Sequence, residues 1–225
     1  EEGIALRAIK NSRLVFTYTY ENEDKAVDAL LTRSATLLPF MEKDVDAIFP
    51  EKCLAYPEIS IYDSKSLEIN DQYKIELLMQ MEKTILDYDK RIVVTRNCEL
   101  QQNEIHATII NSSGLLAESK KTIFTISAMA IAKEDNEVSW YDWLWSYRLN
   151  GIDAKGFGRN IAQKAISFLS NRQIDTGIYE GILSSQASSD MLEILSHSFL
   201  GENLYKDKTN LKGKEDKKCF SDTLN

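Results

Sequence analysis

The chain has 225 residues, 43% hydrophobic and 28% charged, which is typical of a globular protein and excludes a disordered or membrane-spanning one. Its formal net charge is −8. An acidic surface repels phosphate backbones, so we expect no nucleic-acid partner. The three cysteines form no CxxC pair, which argues against a disulfide framework and fits a cytoplasmic protein. No signal peptide is visible, and the missing initiator Met leads us to expect a natural start further upstream.

The first part of the chain predicts a hairpin followed by a helix. Gly3–Lys10 and Arg13–Tyr20 are rich in β-branched and aromatic residues, and Asn11–Ser12 fits a two-residue turn between them. From Glu23 the apolar positions recur with the 3.6-residue period of a helix, which Pro39 ends.

A connector and a second helix follow. Phe40–Ser66 contains Pro50 and Pro57 and is predicted to be irregular. Asp71–Leu86 is predicted to be a helix capped by Asn70 or by its own first residue. Its predicted apolar stripe consists of Ile75, Leu78, Met79, Ile85 and Leu86.

The middle of the chain predicts β-structure. The expected strands, with a turn signal at Asn111–Gly114 after the second, are Arg91–Glu99, Glu104–Asn111, Lys120–Ala132 and Val138–Leu149. A meander of this kind usually forms an antiparallel sheet with one covered face.

The last third predicts a helix over Asp153–Ser170, a short strand over Tyr179–Leu183 and a helix over Ala187–Tyr205. Helices and strands fall in separate runs rather than in βαβ alternation. This order predicts an α+β fold in which helices pack on a mostly antiparallel (mixed) sheet.

Few residues have the types and spacing of a catalytic or metal site. A self-contained zinc site usually takes at least two His or Cys ligands, whereas His106 and His197 are far apart. We interpret His106 as an exposed strand residue and His197 as a solvent or interface residue. Gly156 and Gly158 lack the rest of a nucleotide-binding fingerprint. We therefore predict no catalytic residue, metal ligand or cofactor in this chain.

The most unusual local feature is the aromatic run Trp140–Tyr147. In a strand, Tyr141, Trp143, Trp145 and Tyr147 share one face. Either helices of the same domain cover these rings, or the face is an interface or a peptide-binding surface, where aromatic residues are enriched.

The lysine-rich tail, which begins at Lys206, is interpreted as a solvated loop, as most charge runs are. Lys206 is in addition a candidate contact for an anion or a carboxylate.

Several segments together resemble the TldD/PmbA family, first described as modulators of DNA gyrase and now regarded as metallopeptidase-type proteins. Their order and spacing carry the resemblance more than any single motif does. The segments are Glu2–Arg7, Tyr56–Asp63, Asn111–Leu115, Asp153–Leu169 and Gly201–Leu211.

The resemblance implies a longer protein, about twice this length, that pairs an N-terminal α+β domain with a β-rich C-terminal domain. Residues 1–175 would be the N-terminal domain with its start missing, and residues 176–225 the start of the central or C-terminal region. In this family TldD-type subunits hold zinc on an H-E-x-x-x-H helix. PmbA-type (TldE-type) subunits lack that motif and join a TldD subunit in a complex that matures peptides and degrades small or unfolded ones.

The family's zinc helix corresponds to Ser188–Leu204. The two histidine positions fall on Glu193 and Ser198, and the glutamate position falls on Ile194. His197 is one residue from a ligand position, a rotation of about 100° on a helix. The resemblance therefore implies a PmbA-type, non-catalytic subunit whose TldD-type partner holds the zinc.

Two other functions stay open from the sequence. The first is an independent metallopeptidase whose site lies in a C-terminal part outside this sequence. The second is a binding module that acts on DNA gyrase. A homo-oligomer is likewise an alternative to a complex with a TldD-type subunit.

Overall fold

The computed structural model describes residues 2–52, 55–214, 216–219 and 221. The chain divides into two compact units, Glu1–Asn171 and Arg172–Asn225. The first unit carries both sheets, and the second is helical with long irregular stretches. The predicted assignment of residues 1–175 to an N-terminal domain, and of 176–225 to a following region, stays a prediction.

The predicted hairpin and first helix are confirmed. Strands β1 (Ile4–Lys10) and β2 (Arg13–Thr19) pair antiparallel. Asn11 and Ser12 have φ of 52° and 58°, the left-handed pair that the commonest hairpin turn requires. Helix α1 (Asp24–Leu37) packs on β2, where the buried hydroxyls of Thr17 and Ser34 share a 2.6 Å hydrogen bond.

The main sheet has the order β3-β4-β5 and is antiparallel throughout. Its strands are β3 (Ile92–Ile110), β4 (Leu116–Lys133) and β5 (Glu137–Ser146). The division of β3 into two short strands was wrong. The polar residues Gln101–Asn103 pair in register with Ile123–Thr125 instead of forming a turn.

Two helices cover one face of this sheet. Helix α3 (Asp71–Leu86) is capped by the Asn70 side chain, and helix α4 (Ala154–Phe168) by Asp153, each accepting a backbone N–H. A short helix, α2 (Ser64–Leu67), precedes α3. The core beneath the helices is built from alternate residues of β4, namely Phe124, Ile126, Ala128, Ala130 and Ala132. This arrangement confirms the α+β fold with helices packed on an antiparallel sheet.

The apolar stripe predicted for α3 was partly wrong. Ile75 and Met79 are 51% and 61% exposed, whereas Met81 and Ile85 are fully buried. The contact face runs through Leu77, Leu78, Met81 and Ile85, so the helix is rotated relative to the predicted stripe. Periodicity alone could not separate the two faces because apolar residues lie on both.

Beyond β5, strands β3 and β4 continue as a two-stranded ribbon over residues 103–110 and 116–123. The ribbon ends in the predicted turn, where Gly114 has φ of 83° and the Asn111 side chain accepts the Ser113 and Leu115 N–H groups. Part of the connector lies along this ribbon, since the Asn111 amide donates to the Pro50 carbonyl at 2.7 Å.

Thr122 joins the connector, the ribbon and the end of β5. Its backbone N–H donates to the Ile61 carbonyl, and its hydroxyl accepts the Asp63 N–H at 3.1 Å. The same hydroxyl donates to the Tyr147 carbonyl at 2.7 Å. The side chain of Thr122 is fully buried, so these bonds satisfy polar groups that water cannot reach.

The second unit differs from its prediction in two places. Tyr179–Leu183 forms no strand, and Ile182 in this segment and Ile178 just before it are fully exposed. The predicted long helix is broken into α5 (Ser185–Ser196), a 3₁₀ turn (His197–Phe199) and α6 (Gly201–Tyr205).

Two further findings concern the cysteines and the hydropathy of the helices. Cys98 and Cys219 are free thiols, and Cys53 lies outside the described residues. Within the described ranges, no helix combines the length and hydropathy that a membrane span needs.

The close approach of α4 to α3 predicts a stability effect at Gly158. A Cβ there would lie 2.9 Å from the Met81 carbonyl oxygen, a backbone atom. We expect Gly158→Ala to destabilise the protein by about 1–3 kcal/mol, the usual cost of overpacking. The solvent-facing Gln163→Ala in the same helix should change stability by less than about 0.5 kcal/mol. Urea denaturation of both variants tests this, and an unchanged Gly158→Ala midpoint would contradict the helix contact.

The Asp89–Arg91 pair predicts acid sensitivity. Hydrogen bonds from the Arg91 side chain, then from its backbone, lower the pKa of Asp89 from 3.8 to about 2. The Asp89–Arg91 pair therefore stabilises the folded protein fully above the pKa that Asp89 has in the unfolded chain. This stabilisation is lost as the pH falls towards the pKa of Asp89 in the folded protein. Asp89→Asn should flatten the fall in melting temperature between about pH 4 and pH 2. Asp135→Asn, in the exposed β4–β5 turn, is the matched control and should keep the wild-type profile.

Candidate functional site

The aromatic run occupies both faces of β5. Tyr141, Trp143 and Trp145 project from one face and are 48%, 56% and 45% exposed. Tyr147 lies just beyond the strand, half-buried, with its ring edge-on to Trp145 at 5.1 Å between centroids. We call the surface formed by Tyr141, Trp143 and Trp145 the aromatic face.

The helices cover the other face of β5. Trp140 stacks on Phe168 of α4 with 5.0 Å between ring centroids and 14° between planes. The Lys164 ammonium group lies 5.1 Å from the centroid of the same Trp140 ring. The interpretation that helices of the same domain cover Tyr141, Trp143 and Trp145 is therefore wrong.

The aromatic face continues across the sheet. The register places Thr125 beside Trp145, Ser127 beside Trp143 and Met129 beside Tyr141. Paired residues of neighbouring strands point to the same side, so a thioether and two hydroxyls border the rings. The rings and Met129 can contact a ligand through apolar groups and Thr125 through its hydroxyl, whereas the buried Ser127 hydroxyl donates to the Asn97 carbonyl at 3.4 Å.

The segment predicted as a ligand-free zinc helix is not continuous. Glu193 and Ile194 lie in the last turn of α5, whereas Ser198 lies in the following 3₁₀ turn. The Ser196 hydroxyl donates to the Glu193 carbonyl at 2.6 Å, and Asn203 donates to the His197 carbonyl at 2.6 Å. Both bonds lie where α5 ends and the 3₁₀ turn begins.

The donor set of this segment does not fit zinc. Ile194 has no donor atom and is 74% exposed, and Ser198 is a weak ligand. His197 has its Nδ1 atom 3.3 Å from the Glu193 carbonyl oxygen. Among the described residues, no three His, Cys, Asp or Glu side chains come together as a metal would require.

Lys206 forms an ion pair within its own helix turn. Its ammonium group lies 2.8 Å from Oε1 of Glu202, and this hydrogen bond lowers the pKa of the Glu202 carboxyl. Both groups are well exposed, so the pair is worth little stability. The role of Lys206 as an anion or peptide contact stays a prediction.

One polar cluster was missed by the sequence interpretation. Oε1 of Glu104 accepts the Tyr62 hydroxyl at 2.7 Å and lies 2.8 Å from Nε2 of His106. The bond to His106, followed by that to Tyr62, lowers the pKa of Glu104, and the carboxylate in turn raises the pKa of Tyr62. Alternation along β3 places Glu104 and His106 on one face, but the sequence carried no signal for Tyr62, which lies far away in the connector.

The comparisons with known proteins agree with this geometry. Residues 64–169, which span α2 to the end of α4, match the family described as the PmbA/TldA metallopeptidase central domain. A protein named metalloprotease PmbA homolog, from Buchnera aphidicola, is 29% identical over 174 residues, which are 76% of this chain and 39% of that protein.

Residues 64–169 of the chain thus belong to a domain family of the PmbA/TldD proteins. The family resemblance seen in the sequence is thereby confirmed. The matched region is described as the central domain, whereas the resemblance had placed it in an N-terminal domain.

Solved structures of other proteins share the fold. A candidate modulator of DNA gyrase from Bacteroides thetaiotaomicron superposes with a TM-score of 0.85 at 21% identity, over 98% of this chain and 52% of that one. Another from Thermotoga maritima gives 0.79 at 21% identity, over 94% and 48%. TldE from Thermococcus kodakarensis gives 0.67 at 20% identity, over 93% and 48%. The chain thus spans about half the length of these solved relatives.

Replacing a tryptophan by alanine should have a large effect on stability on one face of β5 and a small effect on the other. Trp140 packs under α4, so Trp140→Ala should destabilise the protein by about 3 kcal/mol or more. Trp143 is 56% exposed, so Trp143→Ala should cost less than about 1 kcal/mol. Thermal unfolding followed by circular dichroism compares the two, and equal losses would show that the aromatic face is covered.

Proposed function

We propose that this chain is part of a PmbA-type (TldE-like), non-catalytic subunit of a cytoplasmic TldD-type metallopeptidase complex. The complex acts in peptide maturation and in the proteolysis of small or unfolded peptides. The TldD-type partner supplies the zinc, and this chain supplies interface and peptide-holding surface.

The observation that carries the proposal is the donor set of the α5 segment. Where TldD-type chains are expected to hold two histidines and a glutamate, this chain has Glu193, Ser198 and Ile194. A catalytic zinc requires three protein ligands that converge and leave one open position. A helix that breaks between the second and third of these positions supports the same conclusion.

The relatives support the proposal in general terms. The curated relative is named as a PmbA homolog, and one solved relative is named TldE. In the family resemblance, both names refer to PmbA-type (TldE-type) subunits. We propose that this chain shares their type.

The aromatic face supports a holding role. Three large rings exposed on a rigid strand offer apolar area to an extended peptide at low entropic cost, since each ring has only two side-chain torsions. Trp143 and Trp145 sit beside the small polar side chains Ser127 and Thr125, which leaves both rings accessible from above the sheet.

Zinc content and peptidase activity test the proposal. The full-length protein that contains this chain should bind less than stoichiometric zinc when purified alone, and it should not cleave an unstructured peptide. The same protein mixed with a TldD-type subunit should cleave it. Stoichiometric zinc in this protein alone, or cleavage without the partner, would contradict the proposal and favour an independent peptidase.

Variants of the α5 segment sharpen this test. Because Glu193 and His197 are not expected to be ligands, Glu193→Gln and His197→Ala should leave the activity of the complex within about twofold, since loss of a true ligand or base costs far more. Replacing the first histidine of the partner's H-E-x-x-x-H motif is the matched positive control and should abolish cleavage.

A further inference from the structure

The two outer edges of the main sheet differ in regularity. Strand β3 has register shifts at Ile92/Val94 and Arg96/Glu99, and Asn97 in the second shift has φ of 52°. Such bulges are a common means of preventing a sheet edge from pairing with another chain. Strand β5 pairs with β4 in unbroken register from Glu137 to Ser146, and its sequence contains no proline or glycine.

The backbone groups on the outer edge of β5 can be identified from two hydrogen bonds. The Lys133 N–H donates to the Arg91 carbonyl of the β3 side at 2.8 Å, so even-numbered residues of β4 direct their groups to β5. The Trp143 N–H donates to Oδ1 of Asp142 at 2.9 Å rather than to β4. Because alternate residues of a strand share one direction, the N–H and C=O groups of Ser139, Tyr141 and Trp145 also point outward.

The charged side chains of β5 itself are acidic, and the Lys164 ammonium group of α4 lies over Trp140 on the same face as Asp142. Glu137 and Asp142 are the charged residues of β5, which contains no Lys or Arg. Lys133 lies 3.9 Å from Glu137 and partly compensates it. Sheet edges that are protected from pairing with another chain often carry lysine. Strand β5 has neither a lysine nor a bulge of the kind seen in β3.

The same charge argues against a second copy of β5 as the occupant. Antiparallel self-pairing of this strand about its centre would place Asp142 of one copy near Asp142 of the other. Like charges across neighbouring strands are destabilising. A strand that places a basic residue next to Asp142 would instead be stabilised by the opposite charge.

We infer that the outer edge of β5 binds an extended polypeptide segment as a fourth strand, with alternating apolar and basic side chains. Its backbone pairs with the outward N–H and C=O groups of Ser139, Tyr141 and Trp145 and with the C=O group of Trp143, whose N–H is already bonded to Asp142. Its apolar side chains lie beside the aromatic face, and its basic side chains lie on the opposite side, next to Asp142. This inference rests on the proposed peptide-holding role and names the class of peptide held.

Synthetic peptides of alternating sequence test this pairing on the full-length protein. Fluorescence anisotropy would measure the binding of a labelled lysine–valine repeat, a glutamate–valine repeat and a lysine–proline repeat of equal length. We expect the lysine–valine repeat to bind at least about tenfold more tightly than the other two, because the others lose the charge match or the strand geometry. Equal binding of the lysine–proline repeat would overturn the inference.

A proline substitution tests the edge itself. Ser139→Pro removes an outward N–H while leaving the β4 side of β5 intact, and edge strands tolerate such a proline. It should weaken binding of the lysine–valine repeat by about tenfold, whereas Ser139→Ala, which keeps the N–H, should stay within about twofold. Asp142→Lys should reverse the preference between the lysine and glutamate repeats.

A modified peptide tests the same bonds without altering the protein. N-methylation of every residue of the lysine–valine repeat blocks both edges of the peptide and should abolish strand pairing even if Ser139→Pro does not fold. Tight binding of the fully N-methylated peptide would overturn the inference.

Failure of this inference is distinguishable from failure of the proposed function. If the complex cleaves peptides but is insensitive to Ser139→Pro and to peptide charge, only the edge assignment fails. If the lysine–valine repeat binds as described but this protein alone holds zinc and cleaves it, the non-catalytic role fails.

Discussion

The burial of one face of β4 under α3 and α4 organises the first unit of this protein. Every second residue from Thr122 to Ala132 is fully buried, and the side-chain period of a strand then directs the intervening residues to the opposite face. Because β5 pairs with β4 in register, Trp140 is drawn beneath α4 and Tyr141, Trp143 and Trp145 are directed away from the helices. The exposure of the aromatic face is thus a consequence of the core packing.

Small residues set the distance between the helices and the sheet. Ala128, Ala130 and Ala132 of β4 and Ala162 and Ala165 of α4 are buried in the same core cluster. Gly158 allows α4 to approach the Met81 carbonyl of α3. Among the aromatic residues of β5, Trp140 packs against this layer, with its ring stacked on Phe168.

The sequence predicted those elements whose signals are local. The hairpin turn at Asn11 and Ser12, the caps at Asn70 and Asp153 and the turn at Gly114 all depend on the conformational preferences of single residues. The predictions were wrong where tertiary packing decides the conformation of a segment or the face that a helix buries. Gln101–Asn103 looked like a loop until paired with Ile123–Thr125, and the rotation of α3 depends on which apolar side meets the sheet.

The candidate site was predictable in part for the same reason. Alternation in a strand placed Tyr141, Trp143 and Trp145 on one face, but only the positions of the helices decide whether that face is open. The helix over Ala187–Tyr205 was predicted from its apolar period. Its break at His197 is accompanied by bonds from Ser196 and Asn203 to carbonyls, which periodicity does not report. The free edge of β5 depends on strand order, which no single segment of sequence contains.

The hydroxyl of Thr122 also bears on the order in which the chain folds. It holds together three segments that lie far apart along the chain, through the Asp63 N–H and the Tyr147 carbonyl. Closing such long loops costs entropy that is repaid only when the distant contacts form. The hairpin of β3 and β4 can form from its turn outward, but this junction must wait until β5 has joined the sheet and the connector has reached it. The junction is therefore complete only when the connector, the ribbon and the end of β5 have all come together.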